Sequence, residues 1–221
     1  MNRNILKIIA LVSMIVDHVG YIFFPNVFYL RLIGRIAFPI FAFFVAEGLR
    51  HTRSRKKYVI TLLVFALISQ IPYNLLRFGN LNILFTFLVS IGMIYLIERC
   101  RDYEFFDVVA LLIATGLVVC IDFTGILDYG LLGMLLVIVF YFFHDTKFKL
   151  VFAIGVLLLV PAKMLFEYGP CMIAFVQFAN LLTIPLLYFY NGQKGKINLK
   201  YLFYVGYPAH LCLLYVLKLI I

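Results

Sequence analysis

An all-α fold, a polytopic transmembrane helical bundle of about nine helices, is what this sequence predicts, and three observations predict it. Of its 221 residues, 65% are hydrophobic and only 13% are charged, against about 45–50% and about 25% in an ordinary soluble domain. The mean hydropathy is +1.07, more apolar surface than a soluble fold of this length can hide. Apolar runs of roughly 17–25 residues, the length that crosses a bilayer, recur along the chain.

The first helix is expected at about 5–24. Arg3 and Lys7 precede it much as basic residues precede the apolar core of a secretory leader. Asp17-His18 interrupts the run, however, and no small-residue cleavage pattern follows, so it reads as an uncleaved span. Pro25-Asn26 turns the chain into a second helix at about 28–49. Further helices are expected at about 58–76, 81–97, 105–122, 129–143, 150–165, 171–189 and 201–219, the sixth and seventh being short. Gly79-Asn80, Gly125, Gly169-Pro170 and Asn191-Gly192 mark the turns between them. Eight to ten helices fit the same runs, and residues 1–221 read as one membrane domain.

Lys and Arg give the orientation. With the N-terminus in the cytoplasm, the inner segments hold Arg3, Lys7, Arg50, Arg53, Arg55, Lys56, Lys57, Arg99, Arg101, Lys147, Lys149, Lys194, Lys196 and Lys200. The outer side holds only Arg31, Arg77, Lys163 and Lys218. Nine spans then put the C-terminus outside. The net charge of +9 is therefore topology and lipid contact, and gives no argument for nucleic acid. Cys100, Cys120, Cys171 and Cys212 show no CxxC or Cys/His spacing, so neither a metal site nor a disulfide framework is expected.

Polar residues inside the apolar runs carry the functional signal, because a charge at a helix centre costs about 2.5–3.5 kcal/mol on insertion scales. Asp17 and His18 lie toward the outer end of the first helix, and Arg35 at similar depth on the second, so Asp17 and Arg35 can meet. Adjacent helical residues point about 100° apart, so Asp17 is not expected to orient His18. His210 stands on the last helix in a stripe with Tyr204 and Tyr207, close to Pro208. Imidazoles at such depth suit proton transfer near neutral pH. Glu47 is expected to pair with Arg50 or His51, and Gln70, Asn82 and Thr86 to tie helices together. No G-x-S-x-G elbow, dinucleotide fingerprint, P-loop or H-E-x-x-H is present.

The stretches KIIALVSMIVDHVG (7–20), GRIAFPIFAF (34–43), LRHT (49–52), SQIPYNL (69–75), LNILFTF (81–87), YGLLGMLL (129–136) and YPAHLCLLYVL (207–217) cover most of the chain. In these it resembles the TraX family, whose namesake acetylates the N-terminus of conjugative pilin. A coarser likeness is to integral-membrane acyltransferases, which also end a first helix in histidine.

The resemblance implies an acetyl-CoA donor, a peptide or small-molecule acceptor bearing an amine or hydroxyl, and a bacterial inner membrane. On that reading His18 is the general base, Arg35 steadies the oxyanion or holds Asp17, and His210 and Tyr207 relay a proton or position the acceptor. The donor phosphates are expected at Arg50, Arg53, Arg55, Lys56 and Lys57. The alternative is a small proton-coupled transporter or lipid-binding membrane protein using the same polar set; the lack of repeated halves counts against it.

Overall fold

The computed structural model describes residues 1–102, 104–195 and 199–220. The chain is all-helical, without strands among the described residues. Its helices are α1 (Arg3–Phe23), α2 (Phe28–Gly34), α3 (Ala37–His51), α4 (Arg55–Leu75), α5 (Ile83–Arg99), α6 (Phe105–Thr124), α7 (Gly130–Phe142), α8 (Thr146–Tyr168), α9 (Met172–Gln177), α10 (Thr183–Tyr188) and α11 (Lys200–Ile220). Counting α2–α3 as one broken rod, and α9–α10 as another, leaves nine rods among the described residues. Five are long and apolar enough to cross a membrane.

Local chemistry sets the boundaries. Side chains of Asn2, Ser54, Asn82 and Asp145 accept hydrogen bonds from the first free N–H groups of α1, α4, α5 and α8. Gly125, at φ +66°, ends α6 in the left-handed region where glycine meets no steric penalty.

Three expectations are corrected. The single helix at 28–49 is broken at Arg35-Ile36. Pro39 has no N–H for the Arg35 carbonyl, and the Thr183 hydroxyl donates to the neighbouring Ile36 carbonyl at 3.4 Å. The helix at 171–189 is split by a 3₁₀ turn, Phe178–Leu182, where Pro185 likewise cannot bond the Leu181 carbonyl. The seventh helix is not short: α8 runs 23 residues through Pro161.

α3 is the centre of the bundle. Ile40, Ala42, Ala46 and Leu49 are fully buried against α1, α5 and α7. α6, by contrast, leaves nearly all its apolar surface outward, consistent with lipid as its solvent. The turns expected to share a side do so. Arg55 binds Glu98 through two oxygens at 2.5 and 3.1 Å, joining the start of α4 to the end of α5. Arg50 donates to the carbonyls of Phe140 and Tyr141 at the end of α7. The Met1 ammonium donates to the Phe189 carbonyl at 2.7 Å. At the opposite end, Leu81 and Leu127 pair as an isolated bridge, and Lys163 binds Asp122 at 2.9 Å. Lys196 of the expected inner set lies outside the described residues.

Gln70, Asn82 and Thr86 tie helices together. Asn82 is fully buried; its amide donates to the Ala66 carbonyl and to Gln70 Oε1, each at 2.8 Å. Thr86 donates to the Asp128 carbonyl at 2.6 Å. Asn82→Leu removes the amide bonds to Ala66 and Gln70 together with the α5 cap, and should destabilise the protein by about 1–3 kcal/mol. Thermal melting in detergent would show this, and an unchanged midpoint would deny the network that role.

Candidate functional site

Asp17 sits between one and two turns from the C-terminal end of α1, with little of its side chain exposed. Its Oδ2 accepts from Arg35 Nη2 at 2.5 Å and from Arg31 Nη1 at 2.8 Å. The side chain of Arg35 is 8% exposed and that of Asp17 13%, so the pair is desolvated and must be closely matched. A Cβ on Gly34 would overlap the Asp17 carboxylate. Glycine is therefore what lets α1 approach α2 closely enough for the contact.

Arg35 has a second partner. Its Nη1 donates to the Tyr129 hydroxyl at 3.0 Å. Tyr129 caps α7 from a left-handed conformation, φ +58°, which is uncommon for a bulky residue. Its ring stacks on Phe38 at 3.8 Å. Asp128, in the loop just before, is pushed up to about 6 by burial, which outweighs the pull of Arg35. Among the described residues, Asp17 Oδ1 and Arg35 Nε are buried without a hydrogen-bond partner.

His18 does not touch Asp17 through a hydrogen bond among the described residues. It meets His210: His210 Nε2 lies 3.0 Å from His18 Nδ1, and His210 Nδ1 lies 2.9 Å from the Gly206 carbonyl oxygen. That oxygen can only accept, so His210 Nδ1 carries a proton. In the neutral ring Nε2 is then the acceptor, and His18 Nδ1 must donate to it. The remaining lone pair of the dyad is on His18 Nε2. Phe78 closes one side, edge-on to His18 at 5.4 Å and stacked on Tyr73 at 4.4 Å.

All of these side chains but that of His210, which stands behind His18, line one cavity of about 250 Å³, with Asp17, His18, Arg31, Arg35, Asp128 and Tyr129 in its polar wall. Tyr207, buried, lines it too, and also a larger cavity on the far side. The structure thus brings together Asp17, His18, Arg35, Tyr207 and His210. From the turn at 50–57, His51 and Thr52 line the larger cavity, while Arg50, Arg53, Arg55, Lys56 and Lys57 line neither. Arg50 and Arg55 are engaged with Glu47, Glu98 and the end of α7; Arg53, Lys56 and Lys57 are exposed and line neither cavity. Glu47 pairs with Arg50 at 3.2 Å and lies 3.7 Å from His51.

The family model described as "TraX protein" matches residues 2–218. The chain belongs to the TraX family. Among its relatives, the probable fimbrial assembly protein FimC, serogroup H1, of Dichelobacter nodosus is 28% identical, with 97% of each chain covered. Protein TraX of Escherichia coli is 29% identical over 98% of this chain and 87% of that one. The uncharacterized protein RP591 of Rickettsia prowazekii (strain Madrid E) is 24% identical over 90% and 84%. No solved structure matches the chain.

Within this TraX family chain, Arg31, Phe78, Asp128 and Tyr129 join the site without having been singled out by sequence. Arg31 had a signal: it precedes Arg35 by four residues, hence on the same helix face. Tyr129 opens the matching stretch 129–136, but its link to Arg35 spans 94 residues and no periodicity shows it. Asp128 and Phe78 sit in turns, where helical spacing gives no partner.

Arg35→Ala leaves Asp17 with Arg31 alone, and Asp17→Asn leaves the buried guanidinium of Arg35 and the part-buried one of Arg31 without their carboxylate. Each should destabilise the protein by about 3–5 kcal/mol, read as a lower melting midpoint in detergent. Gly34→Ala should behave like Asp17→Asn, since the added methyl displaces the carboxylate. Asp17→Asn combined with Arg35→Gln should regain part of the loss. Wild-type melting of Arg35→Ala would show that the pair contributes nothing to the fold.

Proposed function

We propose that this membrane protein is an acetyltransferase, moving an acetyl group from cytosolic acetyl-CoA to an amine or hydroxyl presented at the opposite face. The observation that carries the reading is the His18–His210 dyad. Its hydrogen-bond order leaves a base at His18 Nε2, on a residue that lines a cavity flanked by two arginines.

The roles follow from chemistry. The acceptor's nitrogen or oxygen attacks the thioester carbonyl, and His18 Nε2 takes the acceptor's proton. As that proton arrives, His18 Nδ1–H shifts toward His210 Nε2, and His210 Nδ1–H stays on the Gly206 carbonyl. The carbonyl oxygen gains charge beside Arg31 and Arg35, whose guanidinium groups are held in place by Asp17 before substrate arrives. The C–S bond breaks, and the CoA thiolate leaves with a proton returned from the dyad. Asp17 is a positioning residue for the arginines. The name of the Dichelobacter relative favours a protein acceptor, such as the N-terminus of a pilus subunit.

The same reading places the N-terminus and the cation-rich face in the cytoplasm, and the outer cavity toward the acceptor. Cysteine introduced as Ser54→Cys should resist impermeant thiol reagents added to intact cells; ready labelling would reverse the donor side. In proteoliposomes supplied with labelled acetyl-CoA and an amine-bearing pilin peptide, His18→Ala should cut turnover by about 10²–10⁴-fold. Its CoA affinity should hold, because the proton transfer matters only in the transition state, and its melting midpoint should fall only modestly, since His210 Nε2 loses its donor. A His18→Ala protein that still turns over would remove His18 as the base.

A further inference from the structure

The larger cavity, of about 570 Å³, opens on the cation-rich face. Arg3 and Lys7 stand at its mouth from the first turns of α1, and Lys194 from the segment between α10 and α11. Backbone bonds fix that arrangement: Arg3 N–H donates to the Gln193 carbonyl at 3.0 Å, and Asn191 N–H to the Met1 carbonyl at 3.0 Å. The rim's one carboxylate among the described lining residues, Glu47, is offset by Arg50 at 3.2 Å. The mouth is therefore cationic.

Inside, the lining changes to aromatic and apolar, with Phe44, Tyr58, Phe65 and Phe87. At the deep end stand Met14, Phe41, Ile83 and Tyr207. The same four line the smaller cavity that holds His18, Arg31 and Arg35. The two chambers thus share one partition. Along α1, Arg3 and Met14 are about 16 Å apart at 1.5 Å per residue, a span that an extended phosphopantetheine arm covers.

We propose that this inner chamber is the binding site for an adenine-nucleotide thioester. Its phosphates sit against Arg3, Lys7 and Lys194, its arm runs along the aromatic wall, and its thioester stops at the Met14–Tyr207 partition. The proposal rests on the acetyl-CoA reading above and gives it a location. It moves the phosphate contacts from Arg50, Arg53, Arg55, Lys56 and Lys57 to the chamber mouth, where His51 and Thr52 of the same turn also stand. A ligand with several phosphates and a long uncharged arm matches a cationic rim over an aromatic shaft; a simple anion matches only the rim.

The test uses the full chain in nanodiscs and two labelled probes: CoA, and adenosine 3′,5′-bisphosphate, which has the nucleotide head without the arm. CoA should bind more tightly than the bisphosphate. Arg3→Gln with Lys194→Gln should weaken both by about tenfold or more, with a shallower salt dependence. Arg53→Gln with Lys56→Gln and Lys57→Gln should change either by less than about twofold. Val45→Trp, which narrows the shaft, should lower CoA binding to the level of the bisphosphate and leave the bisphosphate unaffected; melting midpoints confirm that each variant is folded. Leu84→Trp repeats the block from α5 should Val45→Trp fail to fold.

Loss of CoA binding in the 53/56/57 variant but not in the Arg3/Lys194 variant would overturn the location and leave the donor reading standing. Equal affinity of the two probes for the wild type would overturn the threaded arm. No CoA binding by the folded wild type would overturn both.

Discussion

A carboxylate buried beside two guanidinium groups is the constraint around which this bundle is built. Charge at the centre of a membrane helix costs about 2.5–3.5 kcal/mol per residue before pairing, and three such groups meet at Asp17, Arg31 and Arg35. Close approach at Gly34 makes the contact physically possible. The interrupted rod at Arg35-Ile36 occurs where Pro39 removes a backbone donor. Tyr129 holds a strained backbone while accepting from Arg35. These departures from regular helix gather around one set of charges, as expected where local strain is retained for a site rather than for the fold.

Much of this was legible in the sequence because lipid imposes simple rules. Composition and run length disclose a helical membrane protein, and the spacing of cations groups the turns that the structure finds together. Asp17 and Arg35 could be paired because they lie at one depth on helices joined by a short hairpin. His18 and His210 could only be placed at similar depth; their contact across 192 residues depends on how α11 packs on α1. Proline effects were visible as residues but not as consequences. Pro39 and Pro185 sit in apolar runs that hydropathy reads as continuous, and the backbone bond each one lacks is seen only when the helix is traced. In the turn at 50–57, Arg50 and Arg55 are engaged by Glu47, Glu98 and a helix end while Arg53, Lys56 and Lys57 are exposed, a division that a cluster of charge in sequence does not show.

The two chambers divide the chemistry by polarity. One combines buried charge, imidazole and a small volume; the other has a cationic rim over aromatic walls. Tyr207 belongs to both linings, and it lies one helical turn from His210, with ring centres 5.5 Å apart. Pro208 between them leaves the Tyr204 carbonyl without its usual donor. The last helix therefore contributes to both compartments, and any movement of α11 is felt in each.

The hairpin of α1 and α2 also bears on how the chain enters the bilayer. Alone, the segment Phe28–His51 would carry Arg31 and Arg35 into hydrocarbon with no counter-charge, although its hydropathy suits a span. Alone, α1 would carry Asp17. Delivered together, the two arms neutralise most of that charge before either is fully surrounded by lipid, and the short link at Phe24–Val27 makes them a ready insertion unit. Insertion of the two arms as one hairpin is therefore less costly than insertion of either alone, and Tyr129 and Asp128 complete the surroundings of the charge cluster once α7 is packed.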